Sequence, residues 1–152
     1  MACFEWLEST RVAMTVRDTL LLNAGLSAVH LLGFTLVTGG ALVANLNLLG
    51  VLFRGRPPIE VTRPASRGIA LGLAISVLTG AFLFAPRATV ASVNWIFQLK
   101  MALLVSAALF HLFVHRRVAV SASRPAQRAT ALVGLLLFTG LALAGCAFIL
   151  LE

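Results

Sequence analysis

Four long apolar stretches dominate this chain, and they restrict what it can fold into more than any other feature. They cover residues 19–53, 69–86, about 95–114 and 129–151; three contain no charged side chain, and the third contains only Lys100. Each is long enough to cross a hydrocarbon core of roughly 30 Å as a helix. A mean hydropathy of +1.00 lies far from that of a water-soluble domain. The sequence therefore predicts an all-α, membrane-embedded four-helix bundle.

The residues that flank the apolar stretches indicate where each transmembrane span begins and ends. Arg-Gly-Arg-Pro-Pro at residues 54–58 ends the first stretch, because two prolines cannot continue a helical hydrogen-bond ladder. The first stretch exceeds one span, which predicts a helix that projects from the membrane or bends at its outer end. We expect one transmembrane domain over residues 1–152, with spans at about 20–53, 66–86, 95–115 and 129–151.

The first 18 residues differ in character from the rest of the chain. Glu5 and Arg11 interrupt them, so they lack the basic start and apolar run of a cleaved signal peptide. Phe4 and Leu7 recur at helical spacing. This pattern predicts a short interfacial helix over about residues 3–17, on the outer surface of the membrane.

Basic residues are unevenly divided between the two sides of the expected bundle. One side holds eight arginines, in the loops after the first and third spans, and the other holds three arginines and one lysine. By the positive-inside rule the eight arginines are cytoplasmic and both termini are on the opposite side. Topology and anionic lipid account for the net charge of +7, so we expect no nucleic-acid binding. The eight are Arg54, Arg56, Arg63, Arg67, Arg116, Arg117, Arg124 and Arg128.

Few motifs of soluble enzymes occur in the chain. There are no paired carboxylates within the spans, no CxxC and no glycine-rich phosphate loop. Cys3 and Cys146 fall near the same side in this topology, so either a disulfide or two separate apolar cysteines would fit. Hydrolysis and phosphate chemistry have no support.

Ionisable side chains within a membrane span are costly and therefore indicate function. The chain has four of them: His30, Lys100, His111 and His115. His30 is expected in the outer half, whereas His111 is about 7 Å from the cytoplasmic interface, so straight helices cannot bring both to one metal ion. His115 is expected at the membrane interface, beside the arginines that follow it.

The expected level of His30 also includes the start of the third span, with Gln98, Lys100 and Met101. A neutral His30 imidazole can hold haem iron, and Gly33, one turn away, would leave room for the porphyrin. Lys100 would pair with a propionate or a substrate carboxylate. Met101 or Met14 would supply a sixth ligand, or that position would stay open.

Simpler roles are compatible with the same residues. His30 could form a hydrogen bond between helices, and Lys100 could extend its amine to the outer surface. His111, with Asn45 or Asn47 nearby, could hold a second haem on the cytoplasmic side. In the second span Gly68, Gly72, Ser76 and Gly80 recur every four residues, a pattern that admits a neighbouring helix backbone or a flat cofactor.

Three segments carry a resemblance to known proteins: His30-Leu-Leu-Gly33, Asn-Leu-Asn-Leu-Leu-Gly at residues 45–50, and Phe-Gln-Leu-Lys-Met at residues 97–101. With them the chain resembles a family of short bacterial membrane proteins of unknown function. The resemblance covers nearly the whole chain and implies a four-helix membrane architecture. Together with the charge asymmetry, it leads us to expect four spans in the bacterial inner membrane, with both termini periplasmic.

A more distant resemblance is to the HemJ-type protoporphyrinogen oxidases and the CopD-like membrane domain. His30 matches their early histidine, and Trp95, Lys100 and His111 match a later segment. The chain lacks the tryptophan usual after that histidine, and Gln98 replaces a frequent histidine. The resemblance implies that His30 is a haem ligand and Lys100 an acid-group partner.

These observations together lead to three expectations for function. The first is a haem-b-binding, cytochrome b-like protein that transfers electrons as a subunit or partner of a larger membrane redox complex, with His30 as the metal ligand. The second is a HemJ-like tetrapyrrole oxidase. The third is a cofactor-free structural or assembly subunit. In each case we expect contact with the bilayer and with other membrane subunits or further copies of the chain.

Overall fold

The computed structural model describes residues 2–121 and 123–150, which form helices and short connections without a β-strand. The α-helices are α1 (Ala2–Glu8), α2 (Arg11–Asp18), α3 (Leu20–Leu48), α4 (Pro58–Phe84), α5 (Ala88–Val93), α6 (Trp95–Phe110), α7 (Arg116–Ser121) and α8 (Arg124–Leu150). A 3₁₀ turn, Ala85–Arg87, joins α4 to α5, and a π-helical segment, His111–His115, joins α6 to α7.

Four helical segments are long and apolar enough to cross a membrane, which confirms the predicted fold class. They are Leu20–Leu48, Pro58–Val93, Trp95–Val120 and Arg124–Ala147. The chain is therefore a multi-pass helical membrane protein. The last residue of the expected fourth span, Leu151, lies outside the described residues.

The first long helix ends earlier than its apolar composition predicts. α3 stops at Leu48, and the following turn contains Gly50 at φ 77° and Phe53 at φ 51°. Glycine adopts positive φ without steric cost, so the turn follows from Gly50. Apolar composition alone cannot show this boundary, because residues 49–53 are apolar but not helical.

The second long helix begins earlier than expected. α4 starts at Pro58, in the first turn, where proline lacks only an N–H that would have no partner in the helix. Pro64 lies within the helix. The expected loop up to about residue 64 is therefore mostly helical.

The third span also extends further than expected. Asn94 caps α6, because its Oδ1 accepts from the backbone N–H groups of Ile96 at 2.9 Å and Phe97 at 3.4 Å. At the other end the helix continues through the π segment and α7 to Ser121, beyond the predicted end at residue 115. α8 then begins at Arg124 instead of residue 129.

The N-terminal segment packs against one end of the bundle. It forms two helices, which contact the α4–α5 connection. The Phe4 ring meets the Phe84 ring edge-on at 6.1 Å, and the Glu8 carboxylate accepts from the backbone N–H of Thr89 at 2.7 Å. That carboxylate stabilises the first turn of α5. We call the end covered by α1 and α2 the capped end.

The opposite end is where α3 ends, α4 and α8 begin, and α7 lies; we call it the arginine end. The bundle core lies between the two ends and contains Val37, Ala41, Ile69, Ala107, Phe138 and Leu141. α3 packs along α4 and also contacts α8, and α4 also contacts the third span, including α7. A second apolar cluster, Leu48, Ala119 and Ala131, closes the arginine end.

Candidate functional site

His30 projects from α3 towards α4 near the capped end. Its Nδ1 lies 3.0 Å from the hydroxyl oxygen of Thr79, and a methyl group added at Gly80 would come within 3.1 Å of its Cε1. Gly80 therefore gives the ring the room to reach α4. The imidazole is half-buried and held between two helices.

The hydrogen bonds around Thr79 favour one tautomer of His30. The Thr79 hydroxyl donates to the carbonyl of Ile75 at 2.7 Å, so its oxygen accepts from His30. Nδ1 then carries the proton, and a neutral ring has its lone pair on Nε2. Histidines that bind metals use this arrangement, in which one nitrogen donates to a neighbour and the other binds the metal.

Of the residues at the start of the third span that were expected near His30, only some lie close to it. Lys100 is half-buried and lies within electrostatic reach of His30. Gln98 is exposed, and its amide donates to the carbonyl of Ser92 at 2.9 Å, so it stabilises the α5–α6 connection. Met101 and Met14 are both at the surface, 40% and 39% exposed. The structure therefore associates Lys100 with His30, and places Gln98 in a local backbone contact.

Gly33 lies in the contact between α3 and α4. A methyl group added there would be 2.7 Å from the Ser76 hydroxyl and 2.9 Å from the Gly72 carbonyl. One added at Gly72 would be 2.5 Å from the Gly33 carbonyl. The space expected for a porphyrin beside Gly33 is filled by α4, so these two glycines serve helix packing.

A second histidine site lies near the arginine end. His111 is buried in the π segment, where the backbone N–H of Arg116 bonds to the His111 carbonyl five residues earlier. Its Nε2 lies 2.9 Å from the Ser66 hydroxyl on α4. Single π turns within α-helices are frequent at functional sites.

His115, expected at the membrane interface beside the arginines that follow it, is buried among the helices. Its side chain is only 1% exposed, and its ring stacks on that of His111 with centroids 5.0 Å apart. Neither ring nitrogen of His115, nor Nδ1 of His111, has a hydrogen-bond partner within the described part of the chain. The wider π turn turns His115 into the bundle while Arg116 and Arg117 stay exposed.

Two asparagines at the end of α3 lie at the same end of the bundle. Asn45 donates to the carbonyl of Ala41 at 2.7 Å, and Asn47 donates to that of Leu52 at 3.1 Å. Their side-chain oxygens are buried without a partner among residues 2–121 and 123–150. Gly134 of α8 packs directly against the Asn45 amide. Both asparagines thus tie down the end of α3.

The two histidine sites are far apart. Their partners on α4, Ser66 and Thr79, are thirteen residues apart, which corresponds to about 20 Å along a helix. One metal ion cannot bind both His30 and His111, as the depth argument from the sequence predicts. Across the described residues no group of three or more His, Cys, Asp or Glu side chains could hold a metal ion, and Cys3 and Cys146 are unpaired.

The sequence analysis did not identify the partners of either histidine. Thr79 and Ser66 lie in α4, but nothing in their sequence context shows which helix they face. A signal was present, since Thr79 adjoins Gly80 and hydroxyl side chains in spans often bond across helices. Two small residues side by side indicate a close approach, but they do not say by which residue.

Fold and sites together define a multi-pass helical membrane protein with two separate histidine sites between its spans. The chain belongs to a family of unknown function, DUF6644, whose model matches residues 3–147. No curated protein and no solved structure matches the chain.

Proposed function

We propose that this protein binds haem b through His30 and transfers electrons in the membrane, as a subunit or partner of a larger redox assembly. The observation that supports the proposal most strongly is the hydrogen-bond series from His30 Nδ1 through the Thr79 hydroxyl to the Ile75 carbonyl. It fixes the ring with the lone pair on Nε2, as an axial ligand requires. A bound haem would supply one-electron redox chemistry.

The residues around His30 fit such a group in part. The two ring nitrogens point in different directions, so an iron on Nε2 leaves the contact with Thr79 in place. Lys100, within electrostatic reach, supplies a cation for a propionate. The porphyrin has to lie on the side of the ring away from α4, because α4 fills the space beside Gly33.

Haem content and optical spectra test this proposal. Protein purified in mild detergent from cells supplied with a haem precursor should give a b-type reduced-minus-oxidised spectrum and about one haem per chain by pyridine haemochromogen. His30→Ala should lose it. Thr79→Val removes the acceptor of Nδ1 at nearly constant shape, and should lower haem occupancy about 10-fold or more. A colourless wild-type protein that is well folded contradicts the proposal.

A second candidate is oxidation of a tetrapyrrole at the same site. Its support is Lys100, a half-buried cation beside His30 that could bind a substrate carboxylate. Purified protein supplied with an artificial electron acceptor should then oxidise a porphyrinogen and pass its electrons to that acceptor, and Lys100→Met should abolish turnover while leaving the haem spectrum. A protein that only cycles between oxidised and reduced forms is a carrier.

A cofactor-free assembly subunit is the third candidate, and only some of the glycines are available for it. Gly33, Gly72 and Gly134 are used for contacts within the chain, whereas Gly25, Gly39 and Gly68 face open space. Partner subunits or further copies of this chain could therefore pack against the second group but not the first. The redox proposal still requires such a partner as electron donor or acceptor.

We place the arginine end at the cytoplasmic face of a bacterial inner membrane, with both termini periplasmic. The support is the excess of arginine at that end. Cys3 at the capped end is exposed, so a membrane-impermeant maleimide should label it from the periplasmic side. In a Cys146→Ala background, labelling of Cys3 only after membrane rupture contradicts this orientation.

A further inference from the structure

A groove of about 560 Å³ opens between the start of α4 and the π segment with α7, at the arginine end. Two spans that follow different loops contribute its walls. This groove does not include His30 or His111. Its walls include Ile59, Thr62 and Arg63 of α4, and Leu112, Arg116 and Arg117 of the third span.

The charged side chains that line the groove are all basic. Arg63 approaches from α4, and Arg116 and Arg117 approach from α7, while no acidic side chain of the described chain is part of its wall. Guanidinium groups bind phosphate oxygens through paired, charge-assisted hydrogen bonds. Three of them around one cavity favour an occupant that carries phosphate and net negative charge.

Thr62 provides an independent indication of a ligand. Its side chain is only 1% exposed, it forms part of the groove wall, and its hydroxyl has no hydrogen-bond partner in the described structure. A buried hydroxyl without a partner is costly, and native proteins rarely leave one unexplained. A rotation of the Thr62 side chain that brings this hydroxyl to the groove would let an oxygen of a bound phosphate or glycerol ester accept its proton.

The apolar part of the wall distinguishes a lipid from a free anion. Leu112 lies about one turn deeper in the third span than Arg116, whereas Ile59, in the first turn of α4, lies further out than Arg63. Apolar side chains therefore flank the guanidinium groups on both sides. Leu112 provides the apolar contact on the deeper side, where the acyl chains of a phospholipid lie below its phosphate.

We propose that this groove is a binding site for an anionic phospholipid, with Arg63, Arg116 and Arg117 on the phosphate and Thr62 as a hydroxyl donor to a headgroup or ester oxygen. The proposal is independent of haem at His30, because the groove lies on the arginine-end side of Ser66, whereas His30 contacts Thr79.

Lipid titration of the delipidated full-length protein tests the site. Phosphatidylglycerol, phosphatidylcholine and inorganic phosphate are each added, and binding is followed by native mass spectrometry and by the shift in thermal unfolding. Phosphatidylglycerol should bind at low stoichiometry and raise the unfolding temperature, whereas phosphatidylcholine should bind at least about 10-fold more weakly. Equal binding of both lipids, or full saturation by inorganic phosphate alone, overturns the proposal.

Two double variants with the same charge change separate the groove from general surface charge. Arg63→Gln with Arg116→Gln should weaken phosphatidylglycerol binding about 10-fold or more. Arg124→Gln with Arg128→Gln, exposed positions at the same end that do not form the groove, should leave it within about 2-fold. Similar losses in both variants contradict a site at the groove.

Thr62→Val gives a second test that does not depend on charge. It removes the partnerless hydroxyl at nearly constant shape, so the lipid-free protein should be as stable as wild type or more stable. The extra stability gained on adding phosphatidylglycerol should shrink. An unchanged lipid-dependent shift would show that Thr62 does not contact the lipid.

Discussion

The two ends of the bundle differ in how their polar side chains are hydrogen-bonded. At the capped end, the half-buried His30 bonds to Thr79, Glu8 accepts from the start of α5, and the exposed Gln98 donates to Ser92. At the arginine end, both ring nitrogens of His115 and the hydroxyl of Thr62 lack a hydrogen-bond partner in the portion of the chain that the structure describes. The hydroxyls of Ser76 and Thr89 are the exceptions near the capped end.

This difference in hydrogen bonding suits the two ends of the bundle to different kinds of ligand. A ligand for a resident cofactor needs a fixed ring and a defined lone pair, which the contact of His30 with Thr79 provides. Partnerless groups indicate instead where the folded chain needs something more, such as water, a proton or a bound headgroup. We therefore propose the redox group at the capped end and the lipid at the arginine end.

The largest loss of stability is expected at the contact between Gly33 and Gly72, on which both ends of the bundle depend. Gly72→Leu places side-chain atoms against the Gly33 carbonyl and Leu36, and should lower the free energy of unfolding by about 3 kcal/mol. Unfolding in mixed SDS and detergent micelles, followed by circular dichroism, measures it. Gly68→Leu, at a position with open space, is the control. Equal losses would show that the Gly33–Gly72 contact does not hold the ends together.

Replacing each histidine by leucine should give effects of opposite sign at the two ends. His115→Leu removes two partnerless nitrogens and should raise the free energy of unfolding by about 1–2 kcal/mol. His30→Leu removes a formed hydrogen bond and should lower it by about 0.6–1.7 kcal/mol. The same micelle unfolding experiment on haem-free protein compares them. A loss at His115 as large as that at His30 means that its nitrogens have partners in the folded protein.

Weakening the attachment of the N-terminal helices should lower the stability of the protein by less, and only locally. Glu8→Ala removes the acceptor of the Thr89 N–H and should cost about 1 kcal/mol. Amide exchange should rise over α5 while the core of α4 stays protected. Glu5→Ala, on the same helix and exposed, is the matched control. Unchanged exchange in the Glu8 variant would show that α1 does not stabilise the capped end.

The smallest effect is expected at Gln98. Gln98→Ala removes an exposed hydrogen bond to the Ser92 carbonyl and should cost at most about 0.5 kcal/mol. Because its amide is used in that backbone contact, the haem spectrum should keep its position and intensity. A shifted spectrum would place Gln98 at the cofactor after all.

Much of the fold follows from the sequence, because apolar length and charge act locally. The four spans and the different levels of His30 and His111 were predicted from distances along straight helices. The end of α3 was not, because residues 49–53 are apolar and only the backbone angles at Gly50 and Phe53 end the helix. Apolar composition predicts that a segment is long enough to span the membrane, but it does not predict the residue at which the helix ends.

The contacts of the sites were less predictable, because they join residues far apart in the chain. Glu8 meets Thr89 across 81 positions and His30 meets Thr79 across 49, and nothing near either residue specifies its partner. The burial of His115 depends on a π turn, and propensity does not indicate where such a turn occurs. Residue type singled out these histidines as candidates, and only the packing shows what each of them contacts.

The central claim is that His30, rather than the buried pair at the arginine end, carries the redox group. Reduced-minus-oxidised spectra of His30→Leu beside His111→Leu with His115→Leu test it most directly, with folding checked by circular dichroism and gel filtration. The account predicts that the double variant keeps the b-type spectrum and that His30→Leu loses it. A spectrum kept in His30→Leu and lost in the double variant would contradict the account and move the cofactor to the arginine end.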